Sequence, residues 1–258
     1  MTPTRTISDP LAWFFAGPPA GPSLFREVVR RLGQGEARPL LDPARAAEGW
    51  SEVGTRIAAL VEACPAPVVL VAHGLAVPAI VAAALRCTPR ALVLSNGPIR
   101  QLDPVTRHLS RLAALGTPVT ESLFRPTFWL RALSSSAALR RTVVNPYVME
   151  PATVGLLCGP LVADRQSRRA MGAYLASLGR GLPDSRALSV PTLLLWGDAD
   201  SLYPTSEADH FAASRGGARR VDLPGGRHFH PEERPWALAD AVRHLLVEGM
   251  GQDATTMS

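Results

Sequence analysis

The chain has 258 residues, 47% of them hydrophobic and 19% charged, and this composition predicts one enzyme-sized domain with a full hydrophobic core. It has no run of about 18 apolar residues and no secretory signal pattern, so we expect a cytoplasmic protein without a membrane partner. The net charge is +5, but scattered arginines supply all of the positive charge, and this scatter argues against nucleic-acid binding.

The absence of lysine restricts the chemistry that the chain can perform. A chain whose basic residues are all arginine is typical of a GC-rich bacterial genome. The absence of lysine excludes Schiff-base chemistry on the enzyme and covalent pyridoxal phosphate. Cys64, Cys87 and Cys158 lack the spacing of a metal site. We therefore expect a small-molecule substrate, no cofactor and no metal, in a protein that is a monomer or a homodimer.

The first third of the chain alternates strands with helices. Apolar residues 11–16 predict a strand, 23–32 a helix, 38–41 a short strand and 51–64 an amphipathic helix. Strands that alternate with helices indicate a parallel sheet covered on both faces, and hence an α/β fold.

An apolar strand, a sharp turn of small residues and an apolar helix follow between residues 68 and 85. The turn reads Ala72-His73-Gly74-Leu75-Ala76 and resembles the nucleophile elbow of the α/β-hydrolase superfamily, where G-x-S-x-G exposes a serine. Gly74 occupies the position of that serine, so the resemblance implies an elbow without a nucleophile. The backbone N–H of Leu75 remains as an oxyanion donor, and a structural role is favoured over a catalytic one for His73.

The first strand leads into Ala16-Gly17-Pro18-Pro19, which resembles the family's H-G-x-P. In the family the x residue donates a backbone N–H to the oxyanion hole, but here x is Pro18, which has no N–H. Losing one such donor typically costs about 10²–10³ in rate, and losing the serine costs more. Ester hydrolysis through an acyl-enzyme is therefore not expected.

The same resemblance implies the domain organisation. Few residues precede the first strand, so the hairpin that usually opens this fold is missing and about six strands are expected. Helical periods broken by glycine and proline replace the alternation at 101–187, where family members insert a helical cap over the site. We therefore assign 1–100 and 188–250 to the α/β-hydrolase core, 101–187 to the cap and 251–258 to a disordered tail.

Several side chains in or near the cap are weaker candidates. Trp129 and Phe128 are candidates for lining the pocket, with cap core as the alternative. Arg125 is a candidate for binding a substrate anion, although a solvated arginine is favoured. Ser95 and Asn96 end the strand after the elbow helix, where they either approach the pocket or only cap the strand.

A buried strand from residue 190 runs into the loop Gly197-Asp198-Ala199-Asp200, and Pro204 follows. This loop resembles the family's G-x-x-D-x-x-x-P, which places the acid of the catalytic triad at Asp200. Asp198 is the nearby rival for that role.

The strand expected at 219–223 is followed by a Gly-rich turn and then His228. This segment resembles the family's last strand and catalytic histidine, and the final helix is expected at 235–248. His230 is expected to face solvent.

The family's order of nucleophile, acid and histidine is kept along the chain by Gly74, Asp200 and His228. Residues expected to bind substrate are Gly17, Pro18, His73, Gly74, Leu75 and Trp129.

A histidine oriented by a carboxylate is a general base, which contributes about 10²–10⁴ to a rate. Without a nucleophile the suitable reactions begin with proton removal: β-elimination, retro-aldol or cyanohydrin cleavage, isomerisation and cofactor-free oxygenation. The chain resembles hydrolase-like proteins of bacterial tetronate antibiotic pathways, which remove acetic acid from an O-acetylated tetronate and leave an exocyclic alkene. The resemblance implies a lyase; the alternatives are a hydrolase with water activated by His228 and a non-catalytic binding protein.

Overall fold

A computed structural model describes residues 9–215 and 218–247. The tail predicted at 251–258 lies outside the described residues. Among the described residues one sheet contains all six strands. The strands are β1 (Leu11–Ala16), β2 (Glu36–Ala37), β3 (Val68–His73), β4 (Ala91–Ser95), β5 (Thr192–Gly197) and β6 (Arg219–Leu223).

The strand order is β2-β1-β3-β4-β5-β6, and every neighbouring pair is parallel. The register pairs Ala16 with His73 and His73 with Ser95, so β1, β3 and β4 end side by side. In open α/β sheets the loops that follow the carboxyl ends of the strands form the ligand site. This edge of the sheet therefore brings together the predicted site residues of the first and last thirds of the chain.

Along the chain, helices connect the strands and also follow the last strand. They are α1 (Arg26–Leu32), α2 (Trp50–Glu62), α3 (Val77–Ala84), α4 (Pro104–Ala113), α5 (Thr117–Leu123), α6 (Pro126–Leu133), α7 (Ser136–Thr142), α8 (Pro151–Cys158), α9 (Arg165–Leu178), α10 (Thr205–Ser214), α11 (His230–Glu233) and α12 (Pro235–Val247). None of the helices in the described part of the chain has the length and apolar character needed to cross a membrane.

Two apolar clusters cover the two faces of the sheet. One contains Ile57 of α2 and Ile80 of α3, and the other contains Val28 of α1 and Val242 of α12. All six residues of β3 are buried, because a central parallel strand has helices on both faces and reads as a continuous apolar run. The predicted α/β-hydrolase fold with six parallel strands is confirmed.

The helices α4 to α9 occupy 104–178, within the segment expected to form the cap. α9 packs against α4 and α5, and the Tyr174 hydroxyl of α9 donates a hydrogen bond to the carbonyl oxygen of Leu75 at 2.6 Å. This bond ties the helical segment to the turn after β3. The division into core and cap stays a prediction.

Two predicted elements differ from the structure. The strand expected at 38–41 is wrong: β2 lies at Glu36–Ala37, because Pro39 has no N–H to donate within a strand ladder. The helix expected at 23–32 is divided into a 3-10 turn, Pro22–Phe25, and α1.

Candidate active site

The turn after β3 keeps the backbone geometry that an elbow needs. Gly74 has φ of +60°, in the left-handed region that favours glycine, and a short 3-10 turn leads directly into α3. Two other glycines allow close packing here: a Cβ on Gly17 would lie 2.1 Å from the Ala76 nitrogen, and one on Gly97 would lie 2.4 Å from the Gly74 oxygen. Backbone segments on both sides therefore hold the turn in place.

Asp200 and His228 form a buried hydrogen-bonded pair. His228 Nδ1 lies 3.0 Å from Asp200 Oδ2, and the residues are only 6% and 2% exposed. Asp200 Oδ1 accepts hydrogen bonds from the backbone N–H groups of Leu202 and Tyr203 at 2.8 and 3.4 Å. With Nδ1–H donating to the carboxylate, Nε2 is left with the lone pair that a general base requires.

The rival acid Asp198 has a different contact. Its Oδ1 accepts a hydrogen bond from the backbone N–H of Gly225 at 2.7 Å, and its side chain is exposed. This contact joins the loop after β5 to the Gly-rich turn after β6. The structure therefore pairs His228 with Asp200 and gives Asp198 a role in closing the turn.

The imidazole of His228 lies beside Gly74. A Cβ added to Gly74 would be 3.4 Å from His228 Nε2 and 3.5 Å from Cε1, which are ordinary van der Waals separations. The fold thus brings the three positions predicted from the motifs together, with Nε2 of His228 beside a residue that has no side chain.

The loop after β1, at residues 17–20, has no free backbone N–H that could serve as an oxyanion donor. The N–H of Gly17 donates to the His73 carbonyl oxygen at 3.1 Å, and the N–H of Ala20 donates to the Gly17 carbonyl oxygen at 3.1 Å. Pro18 and Pro19, between them, have no N–H. Leu75 is the second residue of the turn that opens α3, so its N–H has no acceptor within that turn.

A cavity of about 310 Å³ is lined by His228. Its walls come from loops at the carboxyl edge of the sheet and from α4, α6, α7 and α9, and they are mostly apolar. The lining residues are Pro18, Pro19, Leu75, Asp103, Val105, Thr106, Leu109, Trp129, Leu133, Ala137, Ala138, Arg141, Thr142, Leu175, Leu202, Tyr203, His228 and Phe229. Of the residues predicted to bind substrate, Pro18, Leu75 and Trp129 are in this set, whereas Gly17, His73 and Gly74 are not.

The candidate residues of the segment expected to form the cap have different environments. Trp129 is buried and packs edge to face on Phe124, with ring centroids 4.9 Å apart. Phe128 is 59% exposed and is not part of the cavity wall. Arg125 lines a separate surface cleft with Glu121 and Arg165. The structure therefore does not place Phe128 or Arg125 beside the His228–Asp200 pair.

The expectation that His230 faces solvent is wrong, because His230 is fully buried. Its Nε2 lies 2.7 Å from Ser95 Oγ, and the same oxygen lies 3.1 Å from His73 Nδ1. His73 also lies next to His228, with ring centroids 4.8 Å apart. The ends of β3 and β4 and the start of α11 therefore form a buried cluster of His73, Ser95 and His230 next to His228.

Burial controls the charge of this cluster. It lowers the pKa of His230 to about 3, and the nearby His228 acts in the same direction. The pKa of His73 lies well below its usual value, mainly from burial and then from His228 and His230. Both histidines are therefore neutral near pH 7, and the cluster is a set of hydrogen-bonded neutral groups.

Asn96 has a structural position. Its side chain accepts a hydrogen bond from the Gly197 N–H at 2.7 Å and donates one to the Gly197 carbonyl oxygen at 3.2 Å. The amide thereby joins the end of β4 to the end of β5, which favours the capping role over a role in the pocket.

The motifs did not reveal a second polar pair in the cavity wall, Asp103 and Tyr203. The Tyr203 hydroxyl donates to Asp103 Oδ2 at 3.0 Å, while Asp103 Oδ1 accepts from the N–H groups of Val105 and Thr106 at the start of α4. Burial, together with the Asp103 charge, raises the pKa of Tyr203 well above its usual value. Asp followed by Pro at 103–104 is a sequence signal for a helix start, but nothing in the sequence links it to Tyr203.

The comparisons with known proteins agree with this architecture. The fold resembles an esterase from Thermogutta terrifontis (TM-score 0.68, 18% identity, covering 95% of this chain and 92% of that one). It also resembles the haloalkane dehalogenase DbeA from Bradyrhizobium elkani USDA94 (TM-score 0.69, 19% identity, covering 95% of this chain and 92% of that one). A third similar structure is the enol-lactonase from Burkholderia xenovorans LB400 (TM-score 0.69, 18% identity, covering 93% of this chain and 92% of that one).

No curated protein sequence matches the chain. The sequence model of the alpha/beta hydrolase family, in contrast, matches residues 8–241. That match covers nearly the whole chain, including the turn at Gly74 and both members of the His228–Asp200 pair. The chain therefore belongs to the alpha/beta hydrolase family.

Proposed function

We propose that this protein is a lyase that uses His228 as a general base, oriented by Asp200, to remove a proton and eliminate a carboxylate. The observation that carries the proposal is Gly74. Its backbone has the elbow conformation and His228 Nε2 lies 3.4 Å from the position of a Cβ, but no side-chain atom is there to accept an acyl group. The site is equipped to move a proton and lacks an atom for nucleophilic attack at the elbow.

The elimination follows from this geometry. His228 Nε2 accepts a proton from a carbon next to an electron-withdrawing group. The electron pair of the broken C–H bond forms the new C=C bond, and the C–O bond breaks with its pair leaving on the carboxylate. Asp200 holds the ring in the tautomer that exposes Nε2 and stabilises the imidazolium, a type of arrangement that contributes about 10²–10⁴ to the rate.

As substrate we propose an O-acetylated tetronate, an acylated polyketide-derived ring, in natural-product biosynthesis. Removal of an acidified ring proton by His228 expels acetate and leaves an exocyclic alkene. Two features support this choice: the resemblance to the acetate-eliminating proteins of tetronate pathways, and the mostly apolar cavity of about 310 Å³ above His228.

A hydrolase that activates water is the second candidate. The side-chain-free position of Gly74 next to His228 Nε2 favours it, since a water molecule there would lie within reach of the base. A non-catalytic binding protein is disfavoured, because binding alone would not need the buried His228–Asp200 hydrogen bond.

Isotopes separate the two reactions. The protein is incubated with an O-acetylated tetronate in ¹⁸O-water, and the products are analysed by mass spectrometry. Elimination gives an alkene and acetate with both original oxygens, and deuterium at the reacting carbon slows the chemical step. Labelled acetate together with an alcohol would replace the lyase by the hydrolase, and no product at all would favour the binding protein.

A further inference from the structure

The helical segment at 104–178 carries the positive charge of the whole molecule. It contains nine arginines and only three acidic residues, a net charge of +6, whereas the whole chain has +5. The rest of the protein is therefore close to neutral. A one-sided charge distribution next to a cleft attracts ligands of the opposite sign, so the helices over the cavity favour anions.

Arg141 is the one arginine of this segment that lines the cavity of His228. It lies in the last turn of α7 and is exposed. No carboxylate in the described parts of the chain forms an ion pair with it. In contrast, Arg165 and Arg169 both pair with Glu121. Arg141 is thus a cation at the cavity wall with hydrogen-bond donors to offer.

Asp103, the acidic residue among those that line the cavity, forms no ion pair with Arg141. Asp103 accepts hydrogen bonds on both carboxylate oxygens, from two N–H groups at the start of α4 and from the Tyr203 hydroxyl. These bonds stabilise its charge where it is, at a helix N-terminus. The remaining walls are mostly apolar side chains, such as Leu109, Leu133 and Leu175.

We infer that the cavity binds an amphipathic anion, with its apolar body against these walls and a carboxylate or enolate at Arg141. A guanidinium presents paired N–H donors that match two anionic oxygens. The inference deepens the proposed function, on which it rests for the reaction at His228, by naming the class of substrate. It also moves the anion-binding role from Arg125, which lines another cleft, to Arg141.

Binding of octanoate and of 1-octanol, measured by titration calorimetry, tests the inference. The two probes share an apolar chain and differ in charge, and neither is turned over. We expect the wild-type protein to bind octanoate about tenfold more tightly than 1-octanol, because a carboxylate accepts two charge-assisted hydrogen bonds from the guanidinium whereas a hydroxyl offers one uncharged oxygen. Arg141→Gln removes this preference, leaving two similar affinities.

Arg140→Gln is the matched control, since it removes the same charge from the neighbouring exposed position of α7, outside the cavity wall. It keeps the preference for octanoate. Loss of the preference in both variants, equal binding of the two probes to the wild type, or no octanoate binding at millimolar concentration would each overturn the inference. Because no reaction is measured, the result is independent of whether the protein is a lyase, a hydrolase or a binding protein.

Discussion

Two parts of the candidate site differ in what they retain from the family pattern. The turn at Gly74 has the elbow backbone without a reactive side chain, whereas the loops after β5 and β6 hold Asp200 and His228 in hydrogen-bonding contact at the positions of the family's acid and histidine. Backbone geometry and chemistry are thus separable. The close packing of Gly17 and Gly97 against the turn preserves its shape, and that packing does not depend on the side chain at position 74.

The turn at Gly74 and the His228–Asp200 pair are expected to respond differently to mutation. Changes at the His228–Asp200 pair remove chemistry that is present. Changes at Gly74 add an atom to a turn whose surroundings lack one of the two oxyanion donors that acyl transfer uses. The first kind is expected to have the larger effect on the reaction.

The largest effect is expected for His228→Ala. Removing the base lowers turnover of an O-acetylated tetronate by about 10²–10⁴, while the fold remains. The rate of product formation measures the turnover, and circular dichroism measures whether the fold remains. His210→Ala, on the exposed side of α10, is the control and keeps full activity. Full turnover by His228→Ala would show that another group removes the proton.

Asp200→Asn is expected to lower turnover less than His228→Ala does. The imidazole remains, but it loses the charge that holds its tautomer and stabilises the imidazolium. The matched control is Asp198→Asn, which makes the same chemical change at the rival position and should leave turnover nearly unchanged. If Asp198→Asn proves the more damaging of the two, the acid has been assigned to the wrong residue.

The fold and the His228–Asp200 pair could be predicted from the sequence because short local patterns of the chain resemble the motifs of the family. The predicted bounds of β1 and β6 agree with the structure, since each is a strand between clear turns. The glycine-rich turn before His228 and the Gly-x-x-Asp loop at Asp200 likewise have a spacing that fixes where each strand ends.

Residues that depend on long-range contacts could not be predicted in the same way. His230 meets Ser95 across 135 positions of the chain, and Tyr203 meets Asp103 across 100. No local pattern shows that a histidine two residues after His228 is buried, nor that Arg141 rather than Arg125 faces the cavity. Such contacts arise only when separate loops meet at the edge of the sheet.

The buried cluster predicts a pH dependence of stability. The pKa of His230 is about 3 in the folded protein, against an ordinary value near 6.5 in the unfolded chain. Below pH 6.5 the unfolded chain therefore binds a proton that the folded protein does not, and the free energy of unfolding falls as the pH drops toward 3. One such group contributes about 1.4 kcal/mol per pH unit within that window.

Urea unfolding at pH 7 and pH 5 measures this effect. His230→Gln, which keeps a polar partner for Ser95 and does not titrate, should lose less stability between the two pH values than the wild type. His210→Gln is the control, since His210 is exposed, and it should follow the wild type. An equal loss in the wild type and in His230→Gln would mean that His230 is not kept neutral by the fold.

The smallest effect on activity is expected for Gly74→Ser, which restores the atom that the elbow lacks. A serine hydroxyl there would lie close to His228 Nε2, but the backbone at φ of +60° costs a non-glycine residue about 1–2 kcal/mol. The loop at 17–20 supplies no free N–H for an oxyanion, and one missing donor typically costs about 10²–10³ in rate. We therefore expect hydrolysis of p-nitrophenyl acetate to stay near the level of Gly74→Ala, which has the same backbone strain and no hydroxyl. Esterase turnover typical of the family in Gly74→Ser alone would show that the site around the elbow is hydrolytic and that the missing serine is its single difference.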